Sequence, residues 1–201
     1  MCDIHELWFR IGGRSCKISF YGKNKFPDAV FYWDDCELFR FNADDTKLLV
    51  EVINRWICDS AMPSAMRVDF AWILIGELAD FYEIGNPVEG EFIDSWNFIE
   101  RFYADLNFSF TPKVLELITA MRKEGYDKLL RAGQSLSTLI LSRARRHGLR
   151  NDQPSVTFQF RDAGMIIHDN TSNNKSLILP QIKLTSEVDS ILKNLSAMNI
   201  D

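Results

Sequence analysis

Histidine is the scarcest chemistry-bearing residue in this 201-residue chain, with His5, His147 and His168 far apart in sequence. No H-E-x-x-H pair occurs, so the zinc-hydrolase helix is excluded. G-x-S-x-G, G-x-x-x-x-G-K-[ST] and G-x-G-x-x-G are also absent, and the common hydrolases, NTPases and dehydrogenases each carry one of these motifs. "AGQSLS" (132–137) looks like a nucleophile elbow only in passing, because no strand leads into it. The four cysteines, Cys2, Cys16, Cys36 and Cys58, form no C-x-x-C pair. They read as thiols in a reducing compartment, packed as small hydrophobes.

Long apolar runs are missing too. The most apolar stretch, "FAWILIG" (70–76), is far too short to span a bilayer. "MCDIHELWFRIGG" places acids and a histidine where a secretory signal has a basic start. These features predict a soluble, cytoplasmic protein with no membrane association. Positive charge is in deficit, with 23 Lys and Arg against 28 Asp and Glu, which argues against nucleic acid as a partner.

What the chain does have is core material. Hydrophobic residues make up 46% and include 15 Phe, 5 Trp and 5 Tyr, enough for burial to offset the entropy of ordering. The first forty residues alternate with period two: "ELWFRI" to a Gly12-Gly13 turn, "SCKISFYG", then two aromatic-rich runs flanking Asp34-Asp35. Helical period begins after an Asp44 or Asp45 cap. It predicts helices within "ADDTKLLVEVINRWICDS" (43–60), from Pro63 to about Glu83, from Pro87 to about Asp105, from Thr111, and over about 134–147. Strands return as "SVTFQF", "MIIHD" and "LILPQIKL", and "TSEVDSILKNLSAM" closes the chain as a helix. The expectation is one α+β domain over 1–201: an N-terminal antiparallel strand meander (1–43), an all-helical middle (44–148), and C-terminal strands plus a closing helix (155–199). Trp56, Phe70, Leu74, Leu78, Phe81, Phe92, Trp96, Ile99 and Leu139 are the expected core.

Charge is segregated along the chain. Residues 67–110 carry 2 basic and 9 acidic side chains, and residues 111–150 carry 9 basic and 3 acidic. "GELADFYEIGNPVEGEFIDSW" (76–96) holds six acids and no Lys or Arg. On helices, Glu77, Asp80, Glu83, Glu89, Glu91 and Asp94 fall on the polar sides, opposite apolar stripes. They form the candidate partner-binding set, and no catalytic, cofactor or metal residue is assigned. The basic run "SRARRHGLR" (142–150) puts Arg143, Arg146 and Arg150 on one helical face, a candidate phosphate site or an internal partner for the acids. His168-Asp169 is a candidate base with an orienting acid.

The expected function is a non-catalytic interaction protein whose acidic helical face docks a basic protein partner, in an inhibitor, immunity-like or adaptor role. The alternatives are an enzyme using the carboxylates of 77–94 or His168 as acid and base, and phosphate or nucleic-acid binding through 143–150.

Overall fold

The computed structural model describes residues 4–21, 26–146, 153–171 and 175–200. Contacts divide the chain into two units, Met1–Pro87 and Val88–Asp201. Among the described residues there are two antiparallel meander sheets with helices between and after them, so the α+β class follows.

The first unit opens with four strands in sequence order: β1 (Ile4–Ile11), β2 (Arg14–Tyr21), β3 (Asp28–Trp33) and β4 (Cys36–Asn42). The turns are set by residues that tolerate positive φ. Gly12 takes φ 57° in a two-residue turn, and Asp34 and Asp35 take φ 51° and 59°, as a two-residue hairpin loop requires. A bulge leaves Leu38 of β4 unpaired opposite Phe31 and Tyr32. Asp45 then caps α1 (Thr46–Ile53), accepting from the Lys47 amide at 2.8 Å. The helix runs into a π-helical turn, Asn54–Cys58, that buries Trp56 and Ile57. Two short helices follow, α2 (Pro63–Asp69) and α3 (Leu78–Glu83).

One continuous helix from Pro63 to Glu83 was expected, and the chain breaks it at Phe70. In the break, Ile73 and Ile75 are buried while Leu74 is 88% exposed. The local period is therefore two, and Leu74, counted in the core by helical spacing, points to water. Phe70, Leu78 and Phe81 are only half-buried. Trp56, Phe92, Trp96, Ile99 and Leu139 are fully buried as expected.

Aromatic rings meet at the centre of this unit's core, among aliphatic side chains. Phe31 stacks on Phe39 with centroids 4.6 Å apart, and Phe39 meets Trp56 edge-on at 5.1 Å. Arg14 is buried among them, its guanidinium 4.1 Å from the Trp33 ring and 4.0 Å from the Trp56 ring. It donates to the carbonyls of Ala61 and Trp56, so the polar groups where the π-turn ends are satisfied inside the core. Burial pushes the Arg14 pKa down to about 10, and the charge of Glu83 opposes that shift.

The second unit begins with α4 (Pro87–Ala104), with Pro at the first helical position where its missing N–H costs nothing. Next come α5 (Thr111–Lys123) and α6 (Tyr126–Leu129). The five-stranded sheet is β5 (Arg131–Ser135), β6 (Thr138–Ser142), β7 (Ser155–Arg161), β8 (Gly164–Asp169) and β9 (Lys175–Leu179), again in sequence order. Thr185 caps the closing helix α7 (Ser186–Ser196). The helix expected over 134–147 is the β5–β6 hairpin instead, turning at Leu136 with φ 55°. Its Leu139 and Leu141 are buried and Ile140 is half-buried, the alternation of a strand with β-branched residues at 138 and 140.

Helix α4 is fixed to that hairpin by hydrogen bonds from its buried face. The Trp96 indole donates to the Leu130 carbonyl at 2.7 Å, Ser95 Oγ accepts from the Ala132 amide at 3.0 Å, and Tyr103 donates to Ser137 at 2.9 Å. Aliphatic side chains fill most of the space around them, among them Val114, Leu117, Ile118, Met121, Val156, Ile167, Val188 and Leu192. Gly164 starts β8 at φ 135°, where a Cβ would stand 2.0 Å from the Leu179 carbonyl oxygen. Only glycine lets β9 close on β8 there.

Candidate functional site

The six acids of 76–96 divide between the units and have unlike surroundings. Glu77 sits at the start of α3, exposed, and its side chain does not cap the helix. Asp80, one turn on, accepts from Arg67 of α2. The same guanidinium donates to the carbonyls of Ile75 and Gly76, at 3.3 and 2.9 Å. Arg67 therefore fixes the non-helical stretch 70–77 against α2. Glu83 ends α3 and accepts from the Ser64 amide at 2.9 Å and the Ser64 hydroxyl at 2.5 Å. Since Met62 gives α2 no side-chain cap, Glu83 supplies from another helix the acceptor that an N-terminus needs.

In the second unit Glu89 lies 3.7 Å from the Lys128 ammonium, and Asp94 is exposed. Glu91, expected on the polar side of α4, is buried. Its side chain is 5% exposed and takes hydrogen bonds from the Arg145 Nη2 and Nε at 2.9 and 3.2 Å. The i, i+3 and i+4 spacing of acids put it outward, but the β5–β6 hairpin brings Arg145 over it and converts it into an internal anchor. The six acids are thus of two kinds. Glu83 and Glu91 bind their own chain with good geometry, Asp80 and Glu89 also pair with cations of their own units, at Arg67 and Lys128, and Glu77 and Asp94 face water.

Exposed apolar side chains lie in the same stretch of the first unit as Glu77. Val68 and Leu74 are 81% and 88% exposed, and Trp72 is half exposed while packing edge-on against Phe41 at 5.0 Å. Such residues are usually buried when a chain can bury them. Here Arg67 and the buried Ile73 and Ile75 hold the backbone so that they cannot turn inward. Sequence reading missed this feature because "FAWILIGEL" resembles one amphipathic helix. The side chains alternate, Trp72 and Leu74 outward and Ile73 and Ile75 inward, but all four are apolar, so the sequence carries no signal of it.

The basic run is not helical over its described part. Arg143 follows β6 and donates Nε to the Met198 carbonyl at 2.8 Å and Nη1 to the Leu129 carbonyl. Arg145 holds Glu91. His147 and Arg150 lie outside the described residues. These arginines brace loops and a buried acid, which takes support from a phosphate site. His168 is exposed on β8, its Nδ1 2.8 Å from the Ser176 hydroxyl of β9. Asp169, the next residue along the strand, is buried on the opposite face and caps the turn at Thr171, so it does not orient the imidazole.

Burial pushes the Cys16 thiol up to about 12, and Cys58, expected among the buried thiols, is exposed. Cys2 lies outside the described residues. One hollow of about 270 Å³ is lined by Lys113, Glu116, Asp162 and Lys183, two cations and two anions, and by none of the six acids. Among the described residues, no three His, Cys, Asp or Glu side chains are grouped to hold a metal ion, and no helix is long and apolar enough to cross a membrane. No protein-family model, curated protein or solved structure matches the chain.

Proposed function

We propose that the protein is a non-catalytic interaction protein that captures a basic protein partner, with the segment from Val68 to Asp80 as the docking surface. The carrying observation is the exposure of Val68, Trp72 and Leu74 on a backbone fixed by Arg67, beside the exposed carboxylate of Glu77. A rigid apolar patch loses little entropy on binding, and an aromatic anchor with a charged rim is the composition of interface hot spots. Carboxylates at the rim draw a cationic partner in and set its orientation. Catalytic carboxylates need partial desolvation, and Glu77 and Asp94 face water. Of the acids in the candidate set, Glu77 serves this surface directly; Asp80 and Glu83 support it, by holding Arg67 and by capping α2, and Glu89, Glu91 and Asp94 belong to the second unit.

The test compares the wild-type protein with a Leu74→Ser/Glu77→Lys variant as bait in native lysate, at low and high salt. Both positions are exposed, so the variant should fold as the wild type does. A basic protein held by the wild type, weakened by salt and lost from the variant supports the reading. Identical profiles for the two baits contradict it.

A further inference from the structure

The first strand, β1, is the edge of its sheet, and β2 is the strand paired with it among the described residues. The other three sheet edges are blunted by ordinary means. Strand β9 is five residues long, starts with Lys175 and runs into Pro180; β5 is five residues long with Gly133 at its centre; β4 carries the Leu38 bulge. Strand β1 has eight residues and carries no proline, glycine or bulge.

Its two faces are unlike. Leu7, Phe9 and Ile11 share a face with Cys16 and Ile18, their partners or neighbours on β2. Cys16 and Ile18 are buried, yet Leu7, Phe9 and Ile11 are 51%, 42% and 57% exposed. The core face of the sheet therefore continues past its helical cover. On the other face are Glu6, Trp8 and Arg10, in that order. Ile11 and Arg14 flank a two-residue turn, so their backbone groups bond each other. Alternation then aims the N–H and C=O groups of Glu6, Trp8 and Arg10 at the open edge.

We propose that β1 pairs antiparallel with β1 of a second copy about a two-fold axis at Trp8, joining two four-stranded sheets into one. In that register Glu6 stands opposite Arg10 of the other copy, and Arg10 opposite its Glu6. These are the residues whose backbone groups point outward, so each opposite-charge pair is also a hydrogen-bonded pair. Leu7 then faces Phe9, and Phe9 faces Leu7, in the non-hydrogen-bonded positions where side chains come closest. Moving the axis by one residue, to Leu7 or Phe9, would lose both opposite-charge pairs, and moving it by two would set Arg10 against Arg10 or Glu6 against Glu6, so charge selects the Trp8 register. The present partners of these charges, Lys17 for Glu6 at 3.0 Å and Asp35 for Arg10, lie on the chain's own side of the edge. They leave the outer side of each charge for the second copy.

Charge-swapped variants test this by sedimentation equilibrium over a wide concentration range. The wild type should form a dimer. Glu6→Arg and Arg10→Glu each put like charges opposite in both pairs, and each should weaken self-association roughly tenfold or more. Mixed in equal amounts, the two variants should form a heterodimer, because Arg at 6 then faces Glu at 10 and Arg10 faces Glu6. A purely structural loss in either variant would not be restored by mixing. Hydrogen exchange on the wild-type chain needs no variant: the amides of Glu6, Trp8 and Arg10 should gain protection as concentration rises. A wild type that remains monomeric with those amides unprotected overturns the proposal, as does self-association of the single variants equal to that of the wild type.

Discussion

The two cores have a similar share of aromatic side chains, but the first holds a guanidinium between two indoles, whereas the second ties a helix to a hairpin through single hydrogen bonds. Around Arg14, Trp33, Trp56, Phe31 and Phe39 contact at defined angles, with a guanidinium between two indoles. Around Trp96, most of the filling is Leu, Ile, Val and Met, and polar atoms enter as single hydrogen bonds from α4 to the hairpin. Acids of both units pair with their own chain, as in Glu37–Arg40 and Asp69–Arg55 of the first and Glu91–Arg145 and Glu100–Arg122 of the second. The first unit carries most of the exposed large hydrophobics, in β1 and between Val68 and Leu74. Stability and contact-making need not be spread evenly: both units pair their charges internally, and the first keeps more of the large apolar side chains in the open.

The largest expected effect is in the core of the second unit. Trp96→Ala removes a fully buried ring and the bond to Leu130, and should cost about 4 kcal/mol in denaturant unfolding. A midpoint unmoved by the change would mean that the second core does not depend on its aromatic anchor. In the first unit, Arg14→Lys keeps the charge but loses the planar group between the indoles. It should cost about 1–2 kcal/mol, and a cost near zero would reduce the arginine to a point charge. The remaining effect is confined to alkaline pH. The folded Cys16 thiol holds its proton up to about pH 12, while the unfolded chain releases it near its ordinary value. The folded state therefore binds more protons between the two. This contribution is complete below the unfolded value and is lost as pH rises toward 12, by at most about 1.4 kcal/mol per unit. Unfolding profiles of the wild type and Cys16→Ala should converge over that range; parallel profiles would show that the thiol titrates freely.

Much of the fold was legible before any coordinates. Gly12-Gly13 and Asp34-Asp35 mark their hairpins because tight turns demand positive φ, and few residues accept it. Asp45, Pro87 and Thr111 mark helix starts through local chemistry at the terminus. The failures came in apolar runs too short for their period to be read. "TLIL" and "WILI" contain Leu and Ile at spacings that suit a helix turn or a strand, and distant packing decides between them. Arg14 was passed over because a charged residue beside a turn is ordinarily on the surface; its burial depends on two tryptophans, Trp33 and Trp56, that are remote in sequence. The acids were legible as a set but not as two kinds. Only the hairpin that carries Arg145 to Glu91, and the proximity of Ser64 to Glu83, separates the anchors from the carboxylates that face water.

That division is tested most directly by one pair of unfolding free energies, measured on Glu91→Ala and Glu77→Ala under the same conditions. Removing Glu91 takes a buried carboxylate away from a guanidinium that is three-quarters buried, and should cost about 3 kcal/mol. Removing Glu77 takes away an exposed carboxylate, and should change stability by less than about 0.5 kcal/mol. Equal costs for the two substitutions, whether both large or both negligible, would contradict the separation of the acidic stretch into internal anchors and a surface left for a partner.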